Sequence, residues 1–159
     1  MAERLGYFAL VLHTHLPYVL AHGRWPHGMD WLSEAAVESY IPLLSSFREL
    51  GEKGITPNVT FSITPITCEQ LSDPSFPEEF RAYLRTKIEL SQEAEKEGRS
   101  QGEEEMARLA RMWENFYAGS LEKFEGLKGD LIGELRNLQE AGQIEVMTSS
   151  ATHGYLPLL

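Results

Sequence analysis

The sequence has 159 residues, of which 42% are hydrophobic and 24% are charged, and this suits one globular domain with a core. Charged residues are abundant whereas Asn and Cys are scarce, which indicates a heat-adapted source. The formal net charge of −10 argues against nucleic acid and an anionic membrane surface as partners, because both bind through clustered Lys and Arg. No apolar run approaches the roughly 18 residues of a membrane span, the N-terminus has no signal-peptide features, and the one cysteine, Cys68, fits a reducing compartment, so we expect a cytoplasmic protein.

Three short apolar segments are predicted to be strands. Gly6–Leu12 is a continuous apolar run, Asn58–Thr64 is "NVTFSIT", and Gln143–Ser150 is "QIEVMTSS". Thr64-Pro65 ends the second strand. A long loop rich in His, Gly, Pro and Trp, residues 16–32, follows the first strand.

Helices are predicted between these strands. Ser33 is a candidate N-cap of a short helix, and Pro42 suits the first turn of the next helix, which ends near Gly51 and Gly54. After the second strand, "SDPSFPEEF" indicates a turn and the start of a helix that runs to about Glu95.

The second half of the long connection is predicted to contain a break. Residues 95–104, "EKEGRSQGEE", are polar and predict a mobile loop. Apolar spacing then predicts one helix over residues 106–117 and another over residues 121–138, ended near Gly142. We expect Trp113 and Phe116 to lie in the core between these helices.

The alternation of strands and helices predicts an α/β fold with a parallel sheet. Polar or ring-bearing residues end each strand, and ligands bind at this carboxyl edge in α/β folds. Three parallel strands do not close a barrel, which in its common form takes eight strands and about 250 residues. We therefore expect the front part of a larger domain, with the apolar residues 155–159 left uncovered.

The sequence "HTH" at the end of the first strand is the strongest chemical signal. Side chains two apart on a strand share a face, so His13 and His15 are predicted to point the same way, and His153 follows the third strand. Such a set is suited either to a metal ion or to hydrogen bonds with sugar hydroxyls. His22 and His27 have no fixed spacing, and we expect them to be solvent-exposed.

Two tryptophans flank "PHGMD" in the loop after the first strand. Trp25 is a candidate platform for the apolar face of a sugar ring, whereas Trp31 is expected to pack at the start of a helix. The chain contains no nucleophile elbow and no phosphate-binding loop. Glu145 and Glu34 do not form the paired carboxylates that a glycosidase needs, and we assign neither of them a catalytic role.

Four segments resemble glycoside hydrolase family 57, and within it the 1,4-α-glucan branching enzymes. They are "HTHLPYV", "WLSEAAVESYIPLL", "TPITCEQL" and "GQIEVMTSSATHGYLPLL". The first and last look like the first two of the family's five conserved regions, and the resemblance runs the length of the chain.

The resemblance implies an incomplete seven-stranded TIM-like (β/α) barrel with helical insertions, of which residues 1–159 would be the N-terminal part. It implies retaining transglycosylation that forms α-1,6 branches in amylose- or glycogen-type glucans, with no metal or other cofactor. The family's glutamate nucleophile and aspartate acid/base lie in later conserved regions, so we expect both beyond residue 159 and expect this chain alone to be inactive.

The resemblance also implies substrate contacts within the chain. His13, His15 and His153 would form the floor of the glucan site. Trp25 matches a loop tryptophan that contacts glucan in the branching type, and Tyr155 is a further candidate.

Three alternatives stay open on the sequence. A family 57 4-α-glucanotransferase or amylase would share these segments. A metal-dependent amidohydrolase also carries His-x-His at the end of its first barrel strand. The third alternative is a non-catalytic fragment or scaffold module, in which another chain would supply the rest of the barrel.

Overall fold

A single parallel sheet organises the protein. The computed structural model describes residues 6–20, 22–24, 26–147 and 149–159. In these ranges β1 (Leu10–Thr14), β2 (Val59–Ile63) and β3 (Ile144–Met147) pair in parallel in the order β1-β2-β3. The predicted α/β class and the three strands are therefore confirmed. Each strand has fewer paired residues than predicted, and β1 lies further along the chain than Gly6–Leu12, because its pairing with β2 begins at Leu10 and continues to Thr14.

Helices form most of the remaining described chain. They are α1 (Met29–Ala35), a π-helical turn (Ala36–Tyr40), α2 (Ile41–Glu52), α3 (Pro65–Ser72), α4 (Phe76–Gln101), α5 (Glu104–Gly126), α6 (Leu131–Glu140) and a 3-10 turn (Leu156–Leu158). None of the helices in the described part is long and apolar enough to cross a bilayer.

The sheet has one covered face and one open face. Leu12, Phe61 and Val146 lie in one row across the three strands and pack against the helices as part of the core. The next row, one residue further along each strand, is His13, Ser62 and Met147. Because side chains alternate along a strand, this second row lies on the other face, away from the core.

The first helical segment begins earlier than predicted. Ser33 does not cap it, because the helix starts at Met29 and Ser33 is buried inside α1. Trp31 therefore lies within α1, where it is 40% exposed and contacts the His27 ring. Pro42 does occupy the first turn of α2, as predicted.

The predicted mobile loop over residues 95–104 is wrong. Helix α4 continues to Gln101 and turns into α5 through Gly102, whose φ of 77° suits glycine. The polar residues of this segment have high helix propensity. Glu95 also accepts hydrogen bonds from Arg99, one turn later in α4, and from Arg111 of α5.

The helix break also lies further along the chain than predicted. Helix α5 runs unbroken to Gly126, and the turn to α6 falls at residues 127–130, where Asp130 accepts a cap hydrogen bond from Gly133 N–H. Trp113 was expected in the core but is 41% exposed, whereas Phe116 is half-buried against the core. Residues 155–159 are exposed, as expected.

Candidate functional site

Two histidines lie at the carboxyl end of β1. His13 is opposite Ser62 in the register with β2, and its Nδ1 lies 3.0 Å from Ser62 Oγ. His15 follows the strand, and its Nδ1 lies 3.1 Å from Thr64 Oγ1 just beyond β2. Each ring is therefore held at its own Nδ1 atom by a hydroxyl at the end of β2.

The loop after β3 brings the third histidine to the same place. Ile66 N–H at the start of α3 donates to Ala151 O at 3.1 Å, which ties this loop to the sheet edge. His153 has a φ of 61°, in the left-handed region that non-glycine residues rarely adopt. The strained backbone turns the His153 ring toward the end of β1.

The three imidazoles form one cluster, which we call the histidine cluster (His13, His15 and His153). The ring centroid of His153 lies 4.6 Å from that of His13 and 4.9 Å from that of His15. His13 Nε2 and His153 Nε2 are 2.9 Å apart, so one of these two nitrogens carries a proton that the other accepts. The predicted convergence of these residues is therefore confirmed in position.

Electrostatics favour a neutral His15. Its pKa is lowered from the ordinary value, first because its charged form is desolvated and then because His153 and His13 would repel a positive charge. A neutral imidazole has one donor and one acceptor nitrogen, and in His15 the Nδ1 atom already contacts the Thr64 hydroxyl, so Nε2 is the nitrogen left for a ligand.

Buried polar contacts hold the segment around His15. Thr14 Oγ1 and the Tyr40 hydroxyl are 2.6 Å apart, which links β1 to the end of the π-helical turn. The fully buried Gln70 of α3 accepts from Val19 N–H at 2.7 Å and donates to Pro17 O at 3.0 Å. The chain on both sides of His15 is therefore fixed to helices.

Sequence reasoning placed Thr64 at the carboxyl edge of the sheet but did not identify Ser62 or Thr67, nor the contacts that these hydroxyls make. Ser62, Thr64 and Thr67 are all buried, and the last of these accepts a hydrogen bond from Leu16 N–H at 3.0 Å. The signal was present in "NVTFSIT", because polar residues alternate with apolar ones and mark a second functional face of β2.

Of the two other predicted site residues, only Tyr155 is described by the structure, and it is not joined to the histidine cluster. Trp25 lies outside the described residues. Tyr155 is 68% exposed, and no hydrogen bond or ring contact within the described part connects it to the histidines. His22 and His27 are exposed, as predicted, and Glu145 hydrogen-bonds to Thr60 at 2.9 Å.

The described residues do not form a metal centre. In residues 6–20, 22–24, 26–147 and 149–159, no group of three or more His, Cys, Asp or Glu side chains is arranged to hold a metal ion. Two of the three imidazoles instead turn their Nε2 atoms toward each other. The arrangement can bind a polar ligand through ring N–H groups and nitrogen lone pairs.

The chain is similar to a known family of enzymes and to individual members of known function. The model of glycosyl hydrolase family 57 matches residues 9–159. A 1,4-α-glucan branching enzyme of Thermococcus kodakarensis is 41% identical over 97% of this chain. The alignment takes in only 22% of that relative's length, so the chain spans about a fifth of it.

Solved structures extend the similarity to the fold. A branching enzyme of the hyperthermophilic archaeon Pyrococcus horikoshii superposes with a TM-score of 0.90 at 40% identity, over 97% of this chain and 28% of that one. The α-amylase AmyC of Thermotoga maritima superposes with a TM-score of 0.80 at 31% identity, over 94% of this chain and 28% of that one.

Proposed function

Because the chain belongs to glycosyl hydrolase family 57, we propose that it is the N-terminal part of the catalytic barrel of a 1,4-α-glucan branching enzyme. The observation that carries the proposal is the histidine cluster at the carboxyl edge of the sheet, the edge at which barrel folds bind ligands. In this proposal the cluster forms part of the floor of an α-glucan site.

The chemistry of the cluster supports a sugar ligand. Sugar hydroxyls both donate and accept hydrogen bonds. Two ring nitrogens of the cluster, Nε2 of His15 and Nδ1 of His153, have no hydrogen-bond partner in the described part of the chain and could bind them. The net charge of −10 does not oppose a neutral ligand. Trp25 is proposed as an additional contact for the glucan, and Tyr155 as a weaker one.

The proposed reaction is retaining transglycosylation, which needs a nucleophile and an acid/base. We place the glutamate nucleophile and the aspartate acid/base outside residues 1–159, in the further part of the barrel that the longer relatives have. Glu145 is not assigned either role, because its carboxylate accepts a hydrogen bond from Thr60 on the exposed face of the sheet. The acceptor would be a glucose 6-hydroxyl, so that an α-1,6 branch forms.

A second candidate is hydrolysis or 4-α-glucanotransfer on the same glucan. The likeness to an α-amylase at 31% identity favours this alternative, and the 40–41% identity to branching enzymes favours branching. The metal-dependent amidohydrolase receives no support from the family match.

Linkage analysis of the products separates these functions. The complete gene product is incubated with amylose, and α-1,4 and α-1,6 linkages are counted by proton NMR beside a reducing-end assay. Branching predicts new α-1,6 linkages without an increase in reducing ends. An increase in reducing ends alone would assign hydrolysis, and redistributed α-1,4 chain lengths would assign glucanotransfer.

The compartment and the natural glucan are also proposals. The free Cys68 supports a reducing compartment, and we propose the cytoplasm. Glycogen is the proposed natural product, because an α-1,6-branched α-1,4-glucan is what the reaction makes.

A further inference from the structure

We propose that Thr67 and Thr64 form a directed hydrogen-bond relay, anchored on the backbone of Leu16, that fixes His15 as the neutral tautomer with its proton on Nε2. Both threonines are then positioning residues. They act through His15, whose Nε2–H is left free to donate to a ligand oxygen.

The relay has a fixed starting point. Leu16 N–H lies 3.0 Å from Thr67 Oγ1, and a backbone N–H can only donate. Thr67 Oγ1 lies 2.9 Å from Thr64 Oγ1, which in turn lies 3.1 Å from His15 Nδ1. Three contacts therefore join one backbone amide to one imidazole nitrogen.

Counting hydrogens sets the direction of these contacts. The Leu16 amide and the two threonine hydroxyls supply three hydrogens for three contacts. If Thr67 donates to Thr64 and Thr64 donates to His15 Nδ1, every hydrogen is used. If Nδ1 also carried a proton, four hydrogens would compete for the same three contacts.

Burial makes the surplus hydrogen costly. Thr64 and Thr67 are fully buried, with 0% of their surface exposed, so an unused hydroxyl hydrogen there has no access to water. The described contacts offer no other acceptor for either hydroxyl. The unprotonated Nδ1 is therefore the state that satisfies the relay.

The position of Thr64 supports the same conclusion. It is the N-cap residue of α3, where a threonine hydroxyl ordinarily accepts a hydrogen bond from the first turn of the helix. No such cap bond is formed, and the hydroxyl contacts His15 and Thr67 instead. The Thr64 hydroxyl therefore serves His15 and not the N-terminus of α3.

The surroundings of His15 agree with a neutral ring. The titratable groups that face it are His13 of β1 and His153 of the loop after β3. Both lower the pKa of His15 through repulsion, and burial lowers it first. A protonated ring would also place a hydrogen on Nδ1, which the relay has no room for.

The consequence for ligand binding is specific. With Nδ1 engaged, His15 offers a ligand one donor, Nε2–H, and no lone pair. This favours a ligand oxygen over a metal ion, which would need the Nε2 lone pair. The donor role toward a glucan hydroxyl rests on the proposed function, whereas the tautomer does not.

The tautomer is measured directly by NMR. The complete gene product is labelled with 15N-histidine, and His15 is assigned by the signals that disappear in His15→Gln. Above the pKa range of histidine, the relay predicts an unprotonated, hydrogen-bonded Nδ1 and a protonated Nε2. A protonated Nδ1 would overturn the proposal.

Substitutions at Thr64 test whether the relay sets the tautomer of His15. Thr64→Val keeps the side-chain shape but removes the donor to Nδ1, so the pKa of His15 should rise by about half a unit to one unit and the Nδ1 signal should move toward that of a free ring. Thr64→Ser should restore both values. Thr60→Val, on the same face of β2 but bonded to Glu145, is the matched control and should change neither.

The outcomes distinguish this proposal from the proposed function. An unchanged pKa and Nδ1 signal in Thr64→Val would overturn the relay, whatever the enzyme does with glucan. A second outcome supports a role of His15 in substrate binding. The relay is confirmed, and Thr64→Val lowers kcat/KM for amylose by about fivefold or more while Thr60→Val does not, so the Nε2–H donor acts on the substrate. If both variants act on amylose equally, the relay stands and the substrate role of His15 is rejected.

Discussion

At the scale of single residues, the contact between His13 and His153 is the feature that links two distant parts of the chain. Their Nε2 atoms are 2.9 Å apart although 140 positions separate them in sequence. Both rings are exposed, so their contribution to the core is small. Their exposed placement supports the proposal that they belong to a ligand site.

We predict that His13→Ala and His153→Ala reduce turnover without unfolding the protein. His153→Ala removes a ring that is proposed to contact the sugar, and His13→Ala removes the ring that contacts His153 Nε2. Each change should lower kcat/KM on amylose by roughly tenfold to a hundredfold, equal to about 1.4–2.8 kcal/mol. Steady-state kinetics and thermal unfolding of the complete gene product measure the two effects. His27→Ala, an exposed loop histidine, is the control. A large fall in Tm at unchanged kcat/KM would assign the pair a structural role.

We also predict a pH dependence of stability that traces to His15. Its folded-state pKa lies below the ordinary value of 6.5, so near and below that pH the unfolded chain binds more protons than the folded protein. The stabilising contribution is thus complete above pH 6.5 and is lost as the pH falls through the lowered value. Denaturant unfolding between neutral and acidic pH should show a shallower fall for His15→Gln than for the parent. Parallel curves would mean that His15 titrates alike in both states.

At the scale of elements, helix α3 holds the segment that follows the histidines. Its N-cap residue Thr64 contacts His15, and Thr67 of its first turn contacts Thr64. Its Gln70 fixes residues 17–19 through two hydrogen bonds. One short helix therefore positions both the ring and the loop beyond it.

Replacement of this buried amide tests the role of α3. Gln70→Met keeps the volume but removes the acceptor of the buried Val19 N–H, which should lower the free energy of unfolding by about 1–3 kcal/mol. Amide exchange at Val19 should accelerate. Glu69→Met, at the exposed neighbouring position, is the matched control and should leave both unchanged. Slow exchange at Val19 in Gln70→Met would show that Gln70 does not fix residues 17–19.

The α4–α5 hairpin contains two glycines that should respond oppositely to alanine. A Cβ at Gly98 would lie 3.0 Å from Ala107 N and 3.3 Å from Glu103 O, so Gly98→Ala should destabilise the protein by about 1–2 kcal/mol. A Cβ at Gly119 meets nothing within 4 Å, so Gly119→Ala should stabilise α5 by about 0.5–1 kcal/mol. Denaturant midpoints at constant m compare the two. Equal effects would mean that helix propensity alone decides.

The elements differ in how far the sequence could predict them. The strands were predictable because short apolar runs bounded by turn residues have few other interpretations. The continuation of α4 through residues 95–101 was not, since α4 packs along α5 there, with Gly98 close to Ala107 and Glu95 bonded to Arg111, and such packing is not visible in the local sequence. Helix α3 was missed for a related reason: Pro65 ends the strand but also begins a helix, and only the packing distinguishes the two.

The candidate site was predictable in its position and in its ring-bearing residues. The spacing of His13 and His15 follows from strand geometry, and Thr64 and His153 were expected at the same edge. The contacts of the Ser62 and Thr64 hydroxyls with the histidines were not identified, because they depend on the register between β1 and β2. Register is a pairing property that no single segment encodes.

At the scale of the whole molecule, the sheet is open on two sides in the described part. β1 and β3 each pair only with β2, and β1 carries Leu10 and Val11 at 42% and 50% exposure. Unpaired edges and apolar strand residues of this kind ordinarily lie against further structure. They fit the proposal that more strands complete a barrel around the histidine cluster.

The proposed role of the histidine cluster in an α-glucan site is tested by a crystal structure of the complete gene product with a bound maltooligosaccharide. We expect glucose hydroxyls within about 2.7–3.2 Å of ring nitrogens of the cluster, with His15 Nε2 as one of the donors. An oligosaccharide bound in the catalytic cleft with no contact to His13, His15 or His153 would rule this role out.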